Sequence, residues 1–427
     1  MKAKKTKIIS ANILYLFFDK VYGASASIFF LALLTRYLGP EMFGIWSYVL
    51  SFASIAVPLS TLGTNFTVVK KFSSHLDDKE VAGQAFLVRL LASVVTSLVL
   101  YSLFVFLGES LLEKQDRYTL AFFLLAITIN NLNLTTLYNE NKLKNGKTVI
   151  ARNMGLTLGT IIKVYLIYNN ATICQIAAAT VLESIIFLIV GHYLTELSIA
   201  VKLSIRTLHQ SVELARESFP LFLSSIVVII YLKADIILLK HIVSPEAAGY
   251  YAAAARISEM LYAVPVAIST VFFPLILKEI NKGAKNTSIR VRFYAIVFYV
   301  CLIISVTGFF LSKEIVNIIY GTEFKRSAVL FSIHCLSVLL IGFLTSSSKE
   351  LIARNKFKLI FYRDLTGLLV NIILNVIFIP KHGALAAAIT TVISYFIAAV
   401  FSNLFFFQTR QVLKLMLKSP MIIFNRT

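Results

Sequence analysis

Ionisable side chains inside long apolar stretches are the residues of this sequence that could do chemistry. There are nine of them: Asp19, Lys20, Arg89, Lys163, Glu183, Lys233, Asp235, Arg256 and Glu259. A charge at the centre of a bilayer costs at least about 2.5–3.5 kcal/mol on insertion scales, so each needs a partner or a water-filled cavity. Their spacing allows two interpretations: fixed ion pairs, or the lining of a path for a charged molecule.

In the first interpretation the charges neutralise one another between and within helices. Arg256 and Glu259 lie three residues apart and therefore share a helix face. Lys163 can pair with Glu183 on the neighbouring helix, and Asp19 with a nearby cation. Such pairs would stabilise the protein without binding a ligand.

In the second interpretation four cations, Lys20, Arg89, Lys233 and Arg256, line one cleft and bind the substrate. Excess positive charge there predicts an anionic substrate, because charge-assisted hydrogen bonds can replace part of the hydration of a phosphate. Arg89 has an alternative: it lies about two turns into its helix, so its guanidinium can extend to the inner membrane surface.

The acidic residues predict ion coupling, and nothing in the sequence predicts catalysis. Asp19, Asp235 and Glu259 are the candidates for binding a coupling proton or sodium ion. The six histidines are scattered, and HExxH, glycine-rich phosphate loops and Walker motifs are missing, so no catalytic, metal or cofactor site is predicted. His334 is interpreted as a packing residue, as are the three cysteines, Cys174, Cys301 and Cys335.

The elements that must position these charges are predicted to be membrane-spanning helices. The chain is 58% hydrophobic and 15% charged, whereas soluble domains carry about 25% charged residues. Barrel strands would alternate apolar and polar residues, but these runs are apolar on all sides. The fold class is therefore all-α integral membrane, with twelve transmembrane helices near 10–34, 44–68, 84–107, 118–138, 148–168, 171–195, 218–240, 249–275, 291–312, 327–348, 358–379 and 383–407.

The net charge of +20 indicates a membrane orientation and no nucleic-acid partner. With the N-terminus inside, inner loops and tails hold 28 of the 41 Lys and Arg residues and outer loops hold 8. Cytoplasmic loops collect these residues, so both termini are predicted to be cytoplasmic. Attraction to anionic membrane lipids follows from the same charge.

A repeated hinge predicts that the chain holds two copies of one six-helix unit. Residues 33–44 (LLTRYLGPEMFG) return 205 positions later as residues 238–249 (LLKHIVSPEAAG). Arg152 and the small-residue run 177–180 return at Arg363 and 387–390, at offsets of 211 and 210. Since each copy holds an even number of helices, the copies are parallel repeats.

The predicted lobes are residues 1–197 and 218–427, the second ending in a basic cytoplasmic tail, and an amphipathic cytoplasmic linker, residues 198–217, joins them. Helix 7 is predicted to begin at Pro220. Pro58, Pro265 and Pro274 are candidate bends between rocking lobes, or fixed kinks.

Four segments resemble the polysaccharide-transporter branch of the multidrug/oligosaccharidyl-lipid/polysaccharide (MOP) exporter superfamily. They are similar to its "ARYLGPEEFG", "D…GPEAVGLYAAA", "LFGEEY" and "LNLILIPRFGALGAAIA" segments, and they lie at residues 33–44, 234–254, 319–324 and 374–388. The order and spacing of all four match over residues 8–407. Ser244 and His241 depart from the pattern, where a glycine and an uncharged residue are commoner.

The resemblance implies a MATE-like pair of six-helix lobes around a cavity, working by alternating access in the bacterial inner membrane. The implied substrate is a polyprenyl-diphosphate-linked oligosaccharide of the O-antigen type, and other polysaccharide-assembly proteins are implied partners. Twelve helices, rather than the fourteen of lipid II flippases, make the peptidoglycan precursor a poorer fit. Two alternatives stay open: a cation-coupled multidrug exporter of the same superfamily, and a membrane glycan polymerase or ligase, which needs a large outer loop.

Overall fold

The computed structural model describes residues 2–73, 77–107, 114–197, 205–281, 288–405 and 407–418, and regular structure in these ranges is helical throughout. The helices in chain order are α1 (Lys2–Ser54), α2 (Ala56–Thr61), α3 (Thr64–Phe72), α4 (Asp78–Leu107), α5 (Lys114–Leu132), α6 (Thr135–Asn141), α7 (Asn145–Tyr168), α8 (Ile173–Leu194), α9 (Ile205–Ile242), α10 (Pro245–Leu261), α11 (Ala263–Asn281), α12 (Ser288–Phe310), α13 (Ser312–Tyr320), α14 (Lys325–Cys335), α15 (Ser337–Ala353), α16 (Phe357–Phe396), α17 (Ser402–Phe405) and α18 (Phe407–Lys418). A 3₁₀ turn, Thr322–Phe324, precedes α14, and a π-helical turn, Ile397–Phe401, follows α16.

Among the described residues, ten helical segments are long and apolar enough to cross a membrane. The all-α membrane prediction is therefore confirmed at this level. Two of the segments, Phe18–Phe72 and Phe357–Leu404, have 55 and 48 residues, more than twice the roughly 20 that one crossing needs. The long helices within these segments, α1 and α16, each contain one residue with non-helical dihedral angles, Gly39 (φ 66°, ψ 176°) in α1 and Gly383 (φ 57°, ψ −138°) in α16, which glycine adopts without strain.

Two of the predicted proline bends coincide with helix ends. α1 ends at Ser54, four positions before Pro58, and α10 ends at Leu261, four positions before Pro265. The proline ring clashes with the carbonyl of residue i−4, which accounts for both breaks. Pro274, the third candidate, lies inside α11 and does not end it.

The prediction that helix 7 begins at Pro220 is wrong. α9 begins at Ile205 and runs through Pro220 without a break. Contacts just before the proline hold the helix there: Leu214 is completely buried, and the Ser218 hydroxyl lies 2.8 Å from the Thr67 hydroxyl. Tertiary packing has overridden the local preference of proline for a helix start. Residues 198–204 of the predicted linker lie outside the described residues.

The chain forms two compact units, called unit 1 (Met1–Tyr37 and Val49–Ile229) and unit 2 (Leu38–Tyr48 and Ile230–Thr427). Residues 38–44 of the first hinge therefore belong to unit 2, although they precede most of unit 1 in sequence, whereas residues 33–37 belong to unit 1. The predicted lobe boundaries at 197 and 218 stay a prediction.

In unit 1, helices α1 and α7 run side by side in the same direction. Five contacts join α1 to α7 or to the loop that follows α7, and residue numbers rise together along both. The pairs are Tyr15 with Gly146, Asp19 with Arg152, Tyr22 with Thr157, Phe30 with Lys163, and Tyr37 with Ala171 of the loop. This pairing holds the predicted charges of α1 against α7.

In unit 2, α18 packs on the core formed by α11, α12 and α15, where Val412 and Met416 join Phe293 and Val297. A buried charge network lies in the same unit: Arg290 contacts Glu279 and Glu350 at 2.8 Å each. The thiols are free, and Cys301 and Cys335 are buried, as expected for packing residues.

Candidate functional site

The first cluster of predicted site residues lies in unit 2, on α9 and α10. Lys233 Nζ lies 2.9 and 3.1 Å from the two carboxylate oxygens of Glu259, and Arg256 Nη1 lies 3.8 Å from Oε2 of the same residue. The predicted Arg256–Glu259 pair is confirmed, and Lys233 joins it. Two cations share one carboxylate, so the trio of Lys233, Arg256 and Glu259 keeps a net positive charge, and the Arg256 side chain is 37% exposed.

The turn between α9 and α10 explains how these side chains come together. Ser244 has extended backbone angles, and its hydroxyl accepts a hydrogen bond from the amide of Ala247 at 3.1 Å, which satisfies an otherwise free donor of the first turn of α10. Pro245 takes the first helical position, where a missing N–H costs nothing. The chain can therefore reverse within two residues and bring Glu259 back beside Lys233.

The second cluster surrounds Asp235, which is 2% exposed. Its Oδ1 accepts from the Asn375 amide at 2.5 Å, and its Oδ2 accepts from the Thr391 hydroxyl at 2.5 Å and from the Tyr251 hydroxyl. The Asn375 amide also donates to Asn371 Oδ1 at 3.1 Å. α9, α10 and α16 thus converge on one carboxylate.

The groups that contact Asp235 are neutral, and most of them offer oxygen atoms. His334, 3.4 Å from the Tyr251 hydroxyl, is the nearest residue with an ionisable nitrogen in this hydrogen-bonded chain, and it is 4% exposed. An ionised carboxylate in such a place requires a compensating positive charge. The arrangement can take up a proton, or a small cation that prefers oxygen ligands, beside Asp235.

In unit 1, the predicted site residues Asp19 and Lys20 differ sharply in environment. Asp19 is 3% exposed, and both of its oxygens contact Arg152, with Arg152 Nε 2.9 Å from Oδ1. Lys20 is exposed. Lys163 Nζ lies 2.5 Å from Glu183 Oε2, so both ion pairs predicted for this unit, that of Lys163 and that of Asp19, are confirmed.

Arg89 is placed differently from the expectation that it extends to the inner surface. Its side chain is 3% exposed and makes three hydrogen bonds, to Thr64 Oγ1 at 3.0 Å, Asn65 Oδ1 at 2.6 Å and the carbonyl of Asn131 at 3.0 Å. These partners are neutral and join three stretches of unit 1. Arg89 is thus well suited to hold those stretches together.

The structure therefore brings Lys233, Arg256 and Glu259 together, with Asp235 in the neighbouring buried cluster, and it places Asp19 beside Arg152, while Lys20 is exposed. Sequence reasoning considered only ionisable residues within the apolar runs as site candidates and counted Arg152 with a loop. It missed five residues for these reasons: Arg152, Tyr251, Asn371, Asn375 and Thr391. Amides and hydroxyls at helical spacing within an apolar run, such as Asn371 and Asn375, were the available signal.

The two hinge copies pack directly against each other in unit 2. A Cβ atom on Gly44 would overlap the carbonyl oxygen of Pro245, and one on Gly249 would overlap the carbonyl oxygen of Pro40. The contact is reciprocal, since Pro40 and Gly44 correspond to Pro245 and Gly249 in the sequence repeat. The backbones approach so closely that only glycine fits at either position.

All four motif segments meet at this end of unit 2, called the hinge end and defined by Gly39, Gly44 and Gly249. The Phe324 ring lies 5.9 Å from Phe43 and 6.0 Å from Tyr250. Residues of the second and fourth segments line one cavity of about 300 Å³, among them Ser244, Tyr250 and Ala384. The motifs are therefore parts of one contact region.

Comparisons with known proteins agree with this architecture. A family model described as "Polysaccharide biosynthesis protein" matches residues 9–280, and one described as "MatE" matches residues 220–377. A protein of Shigella flexneri named "Putative O-antigen transporter" is 23% identical over 387 residues, which is 84% of this chain and 88% of that protein.

Solved structures show the same fold at low sequence identity. An inward-facing multidrug resistance MATE family transporter of the MOP superfamily aligns with a TM-score of 0.68 at 14% identity, covering 92% of this chain and 96% of that one. The lipid II flippase MurJ in an inward closed conformation aligns with a TM-score of 0.65 at 15% identity, covering 97% and 91%. A MOP superfamily transporter from Pyrococcus furiosus, whose title reports a binding pocket of reversed polarity, aligns with a TM-score of 0.64 at 16% identity, covering 95% and 96%.

Proposed function

We propose, on the premise that this chain belongs to the polysaccharide biosynthesis protein family and is a membrane transporter of the MOP superfamily, that it is a flippase for a lipid-linked oligosaccharide. The substrate is a polyprenyl-diphosphate-linked repeat unit of a surface polysaccharide such as O-antigen. The protein moves it across the bacterial inner membrane by alternating access. The relative from Shigella flexneri supports this substrate class.

The observation that carries the proposal is the trio of Lys233, Arg256 and Glu259. Two cations around one carboxylate leave a surplus positive charge within the predicted spans, and Arg256 keeps more than a third of its side chain exposed. A diphosphate must leave most of its water behind in order to cross, and a guanidinium offers paired donors that match phosphate oxygens. The trio provides contacts for this anionic head group, and Lys20 stays a predicted contact. Arg89, the fourth predicted cation, joins stretches of unit 1.

The direction of transport follows from the predicted topology. We take the two longest segments to divide at Gly39 and Gly383, so that ten spans become twelve crossings and both termini lie on one side of the membrane. The Lys and Arg content of the predicted loops assigns that side to the cytoplasm. An anion that moves outward moves toward the positive side of the membrane, which contributes about 2.3 kcal/mol per charge per 100 mV. The membrane potential therefore favours export of the diphosphate.

Coupling to a cation is assigned to Asp235. Asp19 and Glu259, the other acidic candidates, already contact Arg152 and Lys233. Asp235 contacts neutral donors only, among the groups that the structure describes, so a proton or sodium ion can bind there and leave again without breaking an ion pair. Occupation of this site would alter the packing of α9, α10 and α16 and so favour one of the two access states.

A cation-coupled multidrug exporter is the second candidate, and the match of the MatE model to residues 220–377 favours it. Such an exporter carries cargo that is usually cationic and would need a surplus of acidic groups at the site. The trio has the opposite sign. Transport of a cationic dye by purified protein in vesicles would support this candidate over the flippase.

The proposal is tested in a strain from which the gene is deleted. A lipid-linked oligosaccharide should accumulate on the cytoplasmic side, and the wild-type gene should clear it. Lys233→Ala combined with Arg256→Ala should fail to do so, whereas Lys313→Ala combined with Lys325→Ala, which removes the same charge from two exposed positions of unit 2, should succeed. Membrane abundance is measured for each variant, because the first leaves Glu259 without its two partners. Normal surface polysaccharide in the deletion strain, with no second transporter present, would overturn the proposal.

A further inference from the structure

The ion pair between Asp19 and Arg152 has an exposed side. The carboxylate is buried, with a side-chain exposure of 2%, whereas the Arg152 side chain is 39% exposed. Asp19 contacts the Nε and Nη2 atoms of the guanidinium. A guanidinium carries five N–H donors, so this contact uses one edge and leaves the Nη1 donors and one Nη2 donor for another acceptor.

The predicted repeat offers an internal comparison, since it matches Arg152 with Arg363. The Arg363 side chain is 5% exposed and donates to the Leu344 carbonyl and to the hydroxyls of Ser347 and Ser348, as well as to Asp364. An arginine at this position can therefore be saturated by its own unit. Arg152 is not saturated in this way: among the described residues, Asp19 is its hydrogen-bonding partner.

The Asp19–Arg152 pair differs in exposure from the other ion pair of unit 1. The lysine side chain of the Lys163–Glu183 pair is 8% exposed. The Arg152 side chain instead matches Arg256 of the unit 2 trio, since each arginine contacts one carboxylate and is 37–39% exposed. Lys20, the sequence neighbour of Asp19, is also exposed.

We propose that Arg152 is a substrate-binding residue of unit 1, which binds a phosphate group through the free edge of its guanidinium, and that Asp19 is the positioning residue that holds this guanidinium. The proposal rests on the proposed function, since it takes the diphosphate of the cargo as the ligand. Asp19 remains an anion throughout and keeps its contact with Nε and Nη2 while the phosphate binds. Lys20 adds a second cation for the same head group. This assignment gives Asp19 a different role from ion coupling.

The test measures binding of a C15 prenyl diphosphate to the purified full-length protein in detergent, with the C15 prenyl alcohol as the uncharged comparison. Arg152→Gln should weaken diphosphate binding by about tenfold or more, which corresponds to about 1.4 kcal/mol, and should leave alcohol binding unchanged. Arg152→Lys should also weaken it, because the three donors of an ammonium on a flexible stem cannot serve both Asp19 and a phosphate with the fixed geometry of a guanidinium. Arg152→Lys keeps the charge of the ion pair, so it reports on binding even where Arg152→Gln destabilises the protein.

A charge exchange separates a binding role from a purely structural one. Asp19→Arg combined with Arg152→Asp restores an ion pair and should recover the melting temperature lost in Arg152→Asp alone, but it moves the guanidinium to α1 and should not recover diphosphate binding. The matched control is Lys163→Glu combined with Glu183→Lys, which should keep both properties.

The outcomes distinguish this inference from the function on which it rests. If Arg152→Gln or the exchanged pair binds the diphosphate as tightly as the wild-type protein does, while Arg256→Gln binds it more weakly, the role of Arg152 is overturned. The proposed function would then still stand. Equal affinity of the wild-type protein for the diphosphate and the alcohol would overturn both.

Discussion

The contact between the two hinge copies can be broken by a single methyl group. A Cβ on residue 44 would lie 2.7 Å from the carbonyl carbon of Pro245 and 2.9 Å from the amide nitrogen of Gly249, in addition to its overlap with the Pro245 oxygen. Carbon atoms in contact are normally about 3.5–4.0 Å apart. We therefore predict that Gly44→Ala forces the two backbones apart by about 1 Å, as judged from these same distances.

The expected cost follows from the rigidity of the neighbours. The colliding atoms belong to the backbone of α10 and cannot move away as a side chain would. Overpacking of this kind costs about 1–3 kcal/mol. If the carrier exchanges between a state in which this contact is formed and one in which it is broken, the same energy shifts the population about 5–150-fold toward the second state.

The shift can be measured by labelling a cysteine at Ser47, which is 6% exposed and lies near the contact in unit 2. In cells that carry Ser47→Cys, a membrane-impermeant thiol reagent applied outside should react at least about five times faster when Gly44→Ala is present. Gly249→Ala should act in the same direction, because its Cβ would overlap the Pro40 oxygen. Gly23→Ala, in the same helix, is the matched control, since no atom beyond the local helix backbone lies within 4 Å of a Cβ placed at Gly23.

Equal labelling rates and equal melting temperatures for Gly44→Ala and the Gly23→Ala control would refute the reasoning. They would mean that the two backbones are not held at the observed distance. A lower melting temperature without faster labelling would retain the close contact but reject its part in access to the cavity.

Three further predictions concern the buried polar groups. Asp235→Asn replaces the carboxylate with a neutral amide of the same shape, so the protein should still fold. The response of transport into proteoliposomes to an imposed proton or sodium gradient should fall by at least about tenfold. An unchanged response would remove Asp235 from coupling. Arg89→Lys loses the planar spread of donors with which Nε, Nη1 and Nη2 contact three acceptors, so it should destabilise the detergent-solubilised protein by about 1–3 kcal/mol, read as a lower melting temperature. A stable protein that fails in transport would instead place Arg89 against the cargo. Arg290→Gln leaves the buried Glu279 without its arginine partner and should lower the free energy of unfolding by about 3–5 kcal/mol, so that the amount of protein in the membrane falls sharply. Adding Glu279→Gln to the same chain should restore part of that amount.

The parts of this structure that depend on local sequence were predictable. Long apolar runs define spanning helices, and the glycine before Pro40 marks the break in α1. The Arg256–Glu259 pair follows from helical spacing, and Lys163–Glu183 from helices that are neighbours in sequence. Each of these inferences needs only one element or two adjacent ones.

The remainder depends on which distant helices touch. Asp19 and Arg152 are 133 positions apart, and Asp235 and Thr391 are 156 apart, so no spacing rule connects them. The continuity of α9 through Pro220 likewise depends on the burial of Leu214 against other helices. A sequence pattern identifies a polar group that needs a partner, but the partner is set by the packing of the whole unit.

The two units answer the same electrostatic requirement in different ways, and this bears on the proposed coupling. The predicted repeat matches Asp235 of unit 2 with Phe30 of unit 1, whose ring lies 5.1 Å from the Lys163 ammonium. Unit 1 therefore has a covalently attached cation beside the position of Asp235, and Glu183 balances it. In unit 2 the corresponding region presents a carboxylate whose hydrogen-bonding partners are neutral, and the nearby Lys233 is paired with Glu259. Under the proposed function, a mobile cation can bind beside Asp235 in unit 2, whereas a fixed lysine lies at the matched position of unit 1, so the predicted repeat would hold one exchangeable cation site at this position.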